Sequence, residues 1–163
     1  MARSKRPRRH RRVREAAPPG YPQGTHSSDL TGVLLDSDVI IEILRGHQDT
    51  LDAAVALEQS GTPSVCTAVS WAEVYAGIRS GEEEPTQAFF EARGEIALDG
   101  RIGRHAGRYL ARYARSHGVE IADALIAAAA ATAGLRLWTL NHKHYPMEDL
   151  RFFEPGTGST GIP

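Results

Sequence analysis

With 163 residues, 41% of them hydrophobic and 24% charged, the chain has the length and composition of one ordinary globular domain, which excludes wholesale disorder and a second enzymatic domain. Its single cysteine, Cys66, can form neither an intramolecular disulfide nor a thiolate metal site, so a disulfide-stapled secreted fold is excluded and the residue reads as a small buried strand position. The net charge of −1 hides an asymmetry. Arg3, Lys5, Arg6, Arg8, Arg9, Arg11, Arg12 and Arg14 place 8 of the 19 basic residues in the first 14 positions, and the remainder holds 11 basic against 20 acidic residues, or −9.

Residues 1–31 read as a basic disordered tail and linker, with Pro18-Pro19-Gly20 and Ser27-Ser28 and no apolar period. Such a tail either grips phosphates electrostatically or is a solvated appendage or a start-site artefact. No apolar run is long enough to span a membrane, and the arginines are not followed by a signal-peptide core, so a cytoplasmic protein is expected. Residues 32–154 read as the folded domain and 155–163 as a flexible C-terminal tail.

Val33-Leu34-Leu35 predicts a strand ending at Asp36, and the apolar-rich stretch through Leu44 predicts a helix stopped by Gly46. A second helix is expected over 49–60, closed by Gly61 and Pro63, then a strand over 64–67. Ser70-Trp71-Ala72-Glu73 opens a helix through Ile78, and Gly81 with the Glu82-Glu83-Glu84-Pro85 cluster reads as a turn. A third strand is expected over 95–98. Residues 99–117 carry a clear helical period with Ile102, Ala106, Tyr109, Leu110 and Tyr113 on one face. An alanine-rich helix over 122–133 ends at Gly134, a strand over 135–140 leads into Asn141, and Arg151-Phe152-Phe153 adds an edge strand. Strands alternating with helices at this density predict an α/β fold with a parallel sheet covered on both faces.

In such sheets ligands bind beyond the carboxyl ends of the strands. Asp36, Glu73, Asp123 and Asn141 all fall at that edge. Carboxylate oxygens without cysteine or clustered histidine suit hard cations such as Mg²⁺ or Mn²⁺, and three carboxylates brought together repel one another unless a cation sits between them. An ion of this kind serves a nuclease by lowering the pKa of water and neutralising charge on the scissile phosphate.

Four stretches, in order, resemble the successive motifs of the PIN-domain ribonuclease toxins of VapC type: Leu35-Asp36-Ser37-Asp38-Val39-Ile40-Ile41, Ser70-Trp71-Ala72-Glu73, Ala122-Asp123-Ala124-Leu125-Ile126-Ala127-Ala128, and Thr139-Leu140-Asn141-His142-Lys143-His144-Tyr145. The resemblance implies a three-layer α/β/α PIN-like domain and a Mg²⁺-dependent endoribonuclease, the toxin of a type II toxin-antitoxin pair. It would cut structured RNA of the transfer or ribosomal class, form a homodimer and be restrained by a small cognate antitoxin. By the same likeness Asp36, Glu73 and Asp123 are metal ligands. Asn141 stands where the family has Asp or Asn, and its neutral amide orients a water better than it holds a second metal.

Each residue also has a structural role to weigh. Asp36 can cap the next helix, Asp123 can favour its own helix dipole, and Ser70-x-x-Glu73 is a capping box in which the glutamate bonds back to the Ser70 amide. Asp38 either faces solvent or supports Asp36. His142 and His144 read as solvated, and Tyr145 as packing. Arg101, Arg104, Arg108, Arg112 and Arg115 form one stripe roughly 130 degrees from the apolar face, either a ridge for an RNA backbone or a solvated face paired with acids.

Two other functions compete. A PIN-like module could bind RNA without cutting it. The DxD at Asp36 also resembles the nucleophile motif of haloacid-dehalogenase-type phosphatases, but those need a lysine and a late acidic pair. Here only Lys5 and Lys143 exist, and Glu148, Asp149 and Glu154 lie too close to the last strand.

Overall fold

The computed structural model of the chain describes residues 32–156, so the readings for the basic tail, and for the C-terminal tail beyond residue 156, lie outside the described residues. Strand β1 (Val33–Leu35) is buried along its whole length. Its alternation divides the core: Leu34 faces one apolar cluster, while Val33 and Leu35 face the other. β2 (Ser64–Thr67) and β3 (Gly94–Ile96) extend the sheet on one side of β1, and β4 (Arg136–Trp138) and β5 (Arg151–Phe152) on the other. The order is β3-β2-β1-β4-β5, and every pairing is parallel.

Helices cover both faces. α1 (Ser37–Leu44) and α2 (Gln48–Gln59) contribute Val39, Ile40, Ile43, Ala54 and Leu57 to the cluster around Cys66 and Trp138, joined by Val74 of α3 (Ala68–Ala76) and Phe90 of α4 (Glu83–Glu91). α5 (Gly100–His117) and α6 (Ile121–Ala133) form the opposite layer. The small side chains Ala124, Ala127 and Ala128 are fully buried there, so α6 can approach the sheet closely. This is the expected three-layer α/β/α arrangement. No helix among the described residues is long and apolar enough to cross a membrane.

Two local readings are corrected. The Glu82-Glu83-Glu84-Pro85 cluster leads into α4, and only its first residue stays outside the helix. Pro85 is the third helical residue, where its missing N–H removes no intrahelical bond, and Glu83 and Glu84 favour the positive end of the helix dipole. The second correction concerns α3, which begins at Ala68 with Thr67 as its cap. The Thr67 hydroxyl accepts the Ser70 amide at 3.3 Å, so Ser70 stands one turn inside the helix and the capping box with Glu73 does not form.

Thr67 is fully buried, which gives this cap an energetic weight that can be measured. Thr67→Val keeps the shape but leaves the Ser70 N–H without its acceptor. The expected loss is about 1–2 kcal/mol, read as a lower urea midpoint at unchanged slope. A midpoint equal to wild type would mean that another group satisfies the amide.

Candidate active site

β1 lies between β2 and β4, and the chain leaves its two sides in different directions, so the carboxyl end of β1 is the switch point of the sheet. Asp36 stands there as the N-cap of α1 and is buried. One of its carboxylate oxygens accepts the Ser37 amide at 2.8 Å, and the other accepts the Tyr145 hydroxyl at 2.8 Å. Burial raises the pKa of Asp36, and the facing Asp123 raises it further; the Thr139 and Tyr145 hydroxyls and the Ser37 amide act in the opposite direction.

Glu73 projects from the interior of α3, and the Ser37 hydroxyl donates to its carboxylate. Its pKa is raised by burial first and then by Asp36, Asp123 and Glu120, against the Ser37 hydrogen bond. Asp123 lies in the first turn of α6 and accepts the Glu120 amide at 3.0 Å. The N-termini of α1 and α6 thus meet at one edge, where their dipoles favour negative charge. Three of the four sequence candidates are brought into electrostatic contact. Asn141 follows β4 and is half-buried, held through its own main-chain N–H to the Thr139 hydroxyl at 3.0 Å; the structure ties it to none of the three carboxylates.

Three residues missed as site members emerge. Asp38 is half-buried rather than free in solvent: it accepts the Leu140 amide at 3.0 Å and the Thr139 hydroxyl at 3.3 Å, the same hydroxyl that bonds Asp36, and so pins the exit of β4 against α1 beside Asp36. Its pKa is pushed up to about 6, by burial and then by Asp36. Tyr145 is not packing alone, since its buried hydroxyl holds Asp36. Glu120 adds a fourth carboxylate beside Glu73 and Asp123. An aromatic hydroxyl four residues beyond Asn141 and an acid three before Asp123 were visible signals, but only the tertiary structure gives them a target.

These carboxylates have little protein counter-charge. No Lys or Arg among the described residues lies within ion-pair distance of Asp36, Asp38, Glu73, Glu120 or Asp123, and the nearest imidazole is His144, 3.8 Å from Asp123. His142 instead lies 4.0 Å from Glu154. The carboxylates do not yet close on one point: no three His, Cys, Asp or Glu side chains among the described residues form a ready coordination set. Each of the three is turned to a protein donor, through Ser37, Tyr145 or the Glu120 amide. The donor set is all oxygen, repelling and lacking a counter-ion, which fits a hard divalent cation.

A parallel sheet covered on both faces, with carboxylates gathered beyond its central strand, defines an α/β protein with an acidic site at the sheet edge. A PIN domain model matches residues 33–149. Ribonuclease VapC10 of Mycobacterium tuberculosis is 38% identical over 128 residues, covering 76% of this chain and 96% of that protein. Ribonuclease VapC19 of the same organism is 32% identical over 115 residues, covering 70% and 92%. Among solved structures, VapBC2 of Rickettsia felis bound to a DNA fragment superposes with a TM-score of 0.62 at 19% identity, covering 74% of this chain and 96% of that one. FitAcB of Neisseria gonorrhoeae superposes at 0.57 and 25%, covering 76% and 97%. The chain belongs to the PIN domain family, and within it to the VapC type.

Proposed function

We propose that this protein is a Mg²⁺-dependent endoribonuclease, with Mn²⁺ as an alternative ion, working in the cytoplasm as the toxin of a type II toxin-antitoxin pair. The observation that carries this reading is the set of mutually repelling carboxylates Asp36, Glu73 and Asp123 without a Lys or Arg partner, at the sheet's switch point. Curated relatives at 32–38% identity are named ribonucleases, which supports RNA as the substrate. Structured RNA of the transfer or ribosomal class and a homodimer follow the VapC resemblance. For the antitoxin, a groove with an apolar floor of Ile41, Leu44, Val74, Ile78 and Pro85 and with Arg45, Glu82 and Thr86 also in its lining is the candidate seat.

Asp36, Glu73 and Asp123 would hold the cation, with Glu120 beside them. A bound divalent ion supplies a lower pKa for water and neutralises charge at the scissile phosphate. The chain's own residues prepare that setting. Tyr145 and the Ser37 amide fix the orientation of Asp36, the Ser37 hydroxyl fixes Glu73, and the helix N-termini of α1 and α6 favour the approaching phosphate. Asn141, whose main-chain N–H is held by the Thr139 hydroxyl, would orient a water at the rim.

The test is a pH-resolved metal titration. Protons compete with the cation for carboxyls whose pKa values the fold has raised, so Mn²⁺ should raise the melting temperature strongly at pH 7.5 and little at pH 5. Without metal the sign reverses. A carboxyl with a raised folded pKa weakens the fold as pH climbs, for Asp38 between 3.8 and about 6. EDTA should stop RNA cleavage reversibly. Cleavage that persists in excess chelator, or melting indifferent to Mn²⁺ at pH 7.5, would sink the metal mechanism and leave the non-cutting RNA-binding module as the better reading.

A further inference from the structure

Between Gly100 and His117, α5 contains five arginines, two histidines and no acidic residue. All five arginine side chains are exposed. They account for 5 of the 11 basic residues within 32–156, a stretch that also holds 18 acidic ones. Opposite charges three or four residues apart stabilise an exposed helix face and like charges at that spacing destabilise it, so an all-arginine row costs α5 stability. Here only Arg112 has a carboxylate within ion-pair distance among the described residues, Glu148 at 3.3 Å. Asp99 senses Arg101 and Arg104, yet its carboxylate caps the helix through the Arg101 and Ile102 amides.

We infer that the arginine line on α5 is an exosite for the sugar-phosphate backbone of RNA, separate from the carboxylates; this rests on the ribonuclease reading above. From Arg101 to Arg115 the line runs about 21 Å at the helical rise of ~1.5 Å per residue. It spans several consecutive phosphates. Guanidinium groups pair with phosphate oxygens in a two-pronged geometry, and a regular row of them matches a regular polyanion better than an irregular acidic protein surface. Glu148 and Asp149 border the line where Arg108, Tyr109 and Arg112 form one wall of a cleft, so they repel a polyanion from that flank and confine it to the arginines. Past Arg115 the chain turns at Gly118, which adopts left-handed backbone, and enters α6 with Glu120 and Asp123. RNA held along α5 is thereby led toward the carboxylates.

The decisive measurement is binding of a labelled 20-nucleotide oligouridine to the full chain in EDTA, as a function of salt, which needs no cleavage. Arg104→Gln/Arg108→Gln/Arg112→Gln should weaken binding on the order of 10²-fold near 0.1 M salt and flatten the log–log salt slope by about 2. Arg104→Gln/Arg108→Gln, which breaks no ion pair among the described residues, should flatten it by about 1.4. Melting temperatures should match wild type, since Gln is nearly as good a helix former as Arg. The corresponding triple Lys variant should keep the slope. Unchanged affinity and slope in both Gln variants, or a Lys variant as weak as the triple Gln one, overturns the exosite, as does loss of a protein partner with RNA binding intact. Failure of RNA cleavage in the wild type would count against the ribonuclease reading alone, because the binding result stands without it.

Discussion

Asp36→Asn and Asp123→Asn should each cut RNA cleavage on the order of 10³-fold while leaving the fold intact. Asn caps a helix as well as Asp does, so the Ser37 amide keeps its acceptor in the first variant, and the Glu120 amide keeps its own in the second. Tyr145 can turn its hydroxyl to accept from the new amide. What disappears is one negative oxygen ligand and its repulsion of the other carboxylates. Burial and Asp123 together disfavour the ionised form of Asp36, so neutralising it removes a cost. The metal-free Asp36→Asn protein should therefore melt at or above the wild-type temperature at pH 7.5 and should lose most of the Mn²⁺-induced rise. Activity and stability move in opposite directions, as expected of a site that holds strain for function. Scanning calorimetry with and without Mn²⁺, beside an RNA cleavage assay, checks both halves. A variant that cuts at the wild-type rate removes the residue from the site, and one that unfolds shows that the carboxylate is structural.

Glu73→Gln should lower cleavage by about 10²-fold or more, with near-wild-type melting in EDTA and a weaker response to Mn²⁺. Glu73 projects from the middle of α3 and accepts from the Ser37 hydroxyl, a bond that the Gln carbonyl oxygen can also take. Because Thr67 holds the Ser70 amide, no helix cap is lost with the charge. The neutral side chain also escapes the repulsion of Asp36, Asp123 and Glu120. A poorer ligand is the main change, since a hard cation binds a neutral amide less well than a carboxylate. Comparison with Thr67→Val separates the two kinds of effect: one variant should lose stability and keep its chemistry, the other the reverse. Normal cleavage by Glu73→Gln would place Glu73 outside the reaction.

Much of this molecule is written in local pattern. β1 with Asp36 at its end, the α5 face of Ile102, Ala106, Tyr109 and Tyr113, and the glycine stops after α1, α2 and α6 all follow from residues close together in the chain. Their signals are period, propensity and turn chemistry, which neighbours in sequence decide. The positions of Asp36, Glu73 and Asp123 at strand and helix ends already put them at one edge of a parallel sheet. α4 was hidden because its apolar face is small and its proline resembled a turn signal. The sequence offered Ser70 as the cap of α3, but Thr67 is an equally good capping residue at the end of β2, and its hydroxyl takes the Ser70 amide in the folded chain. The hydroxyl of Tyr145 on Asp36 and the anchor of Asp38 on Thr139 and Leu140 span 109, 101 and 102 residues of chain. No periodicity encodes such contacts. They exist because β4 pairs directly with β1, bringing the loop after β4 over the start of α1, and that adjacency is a property of the assembled sheet.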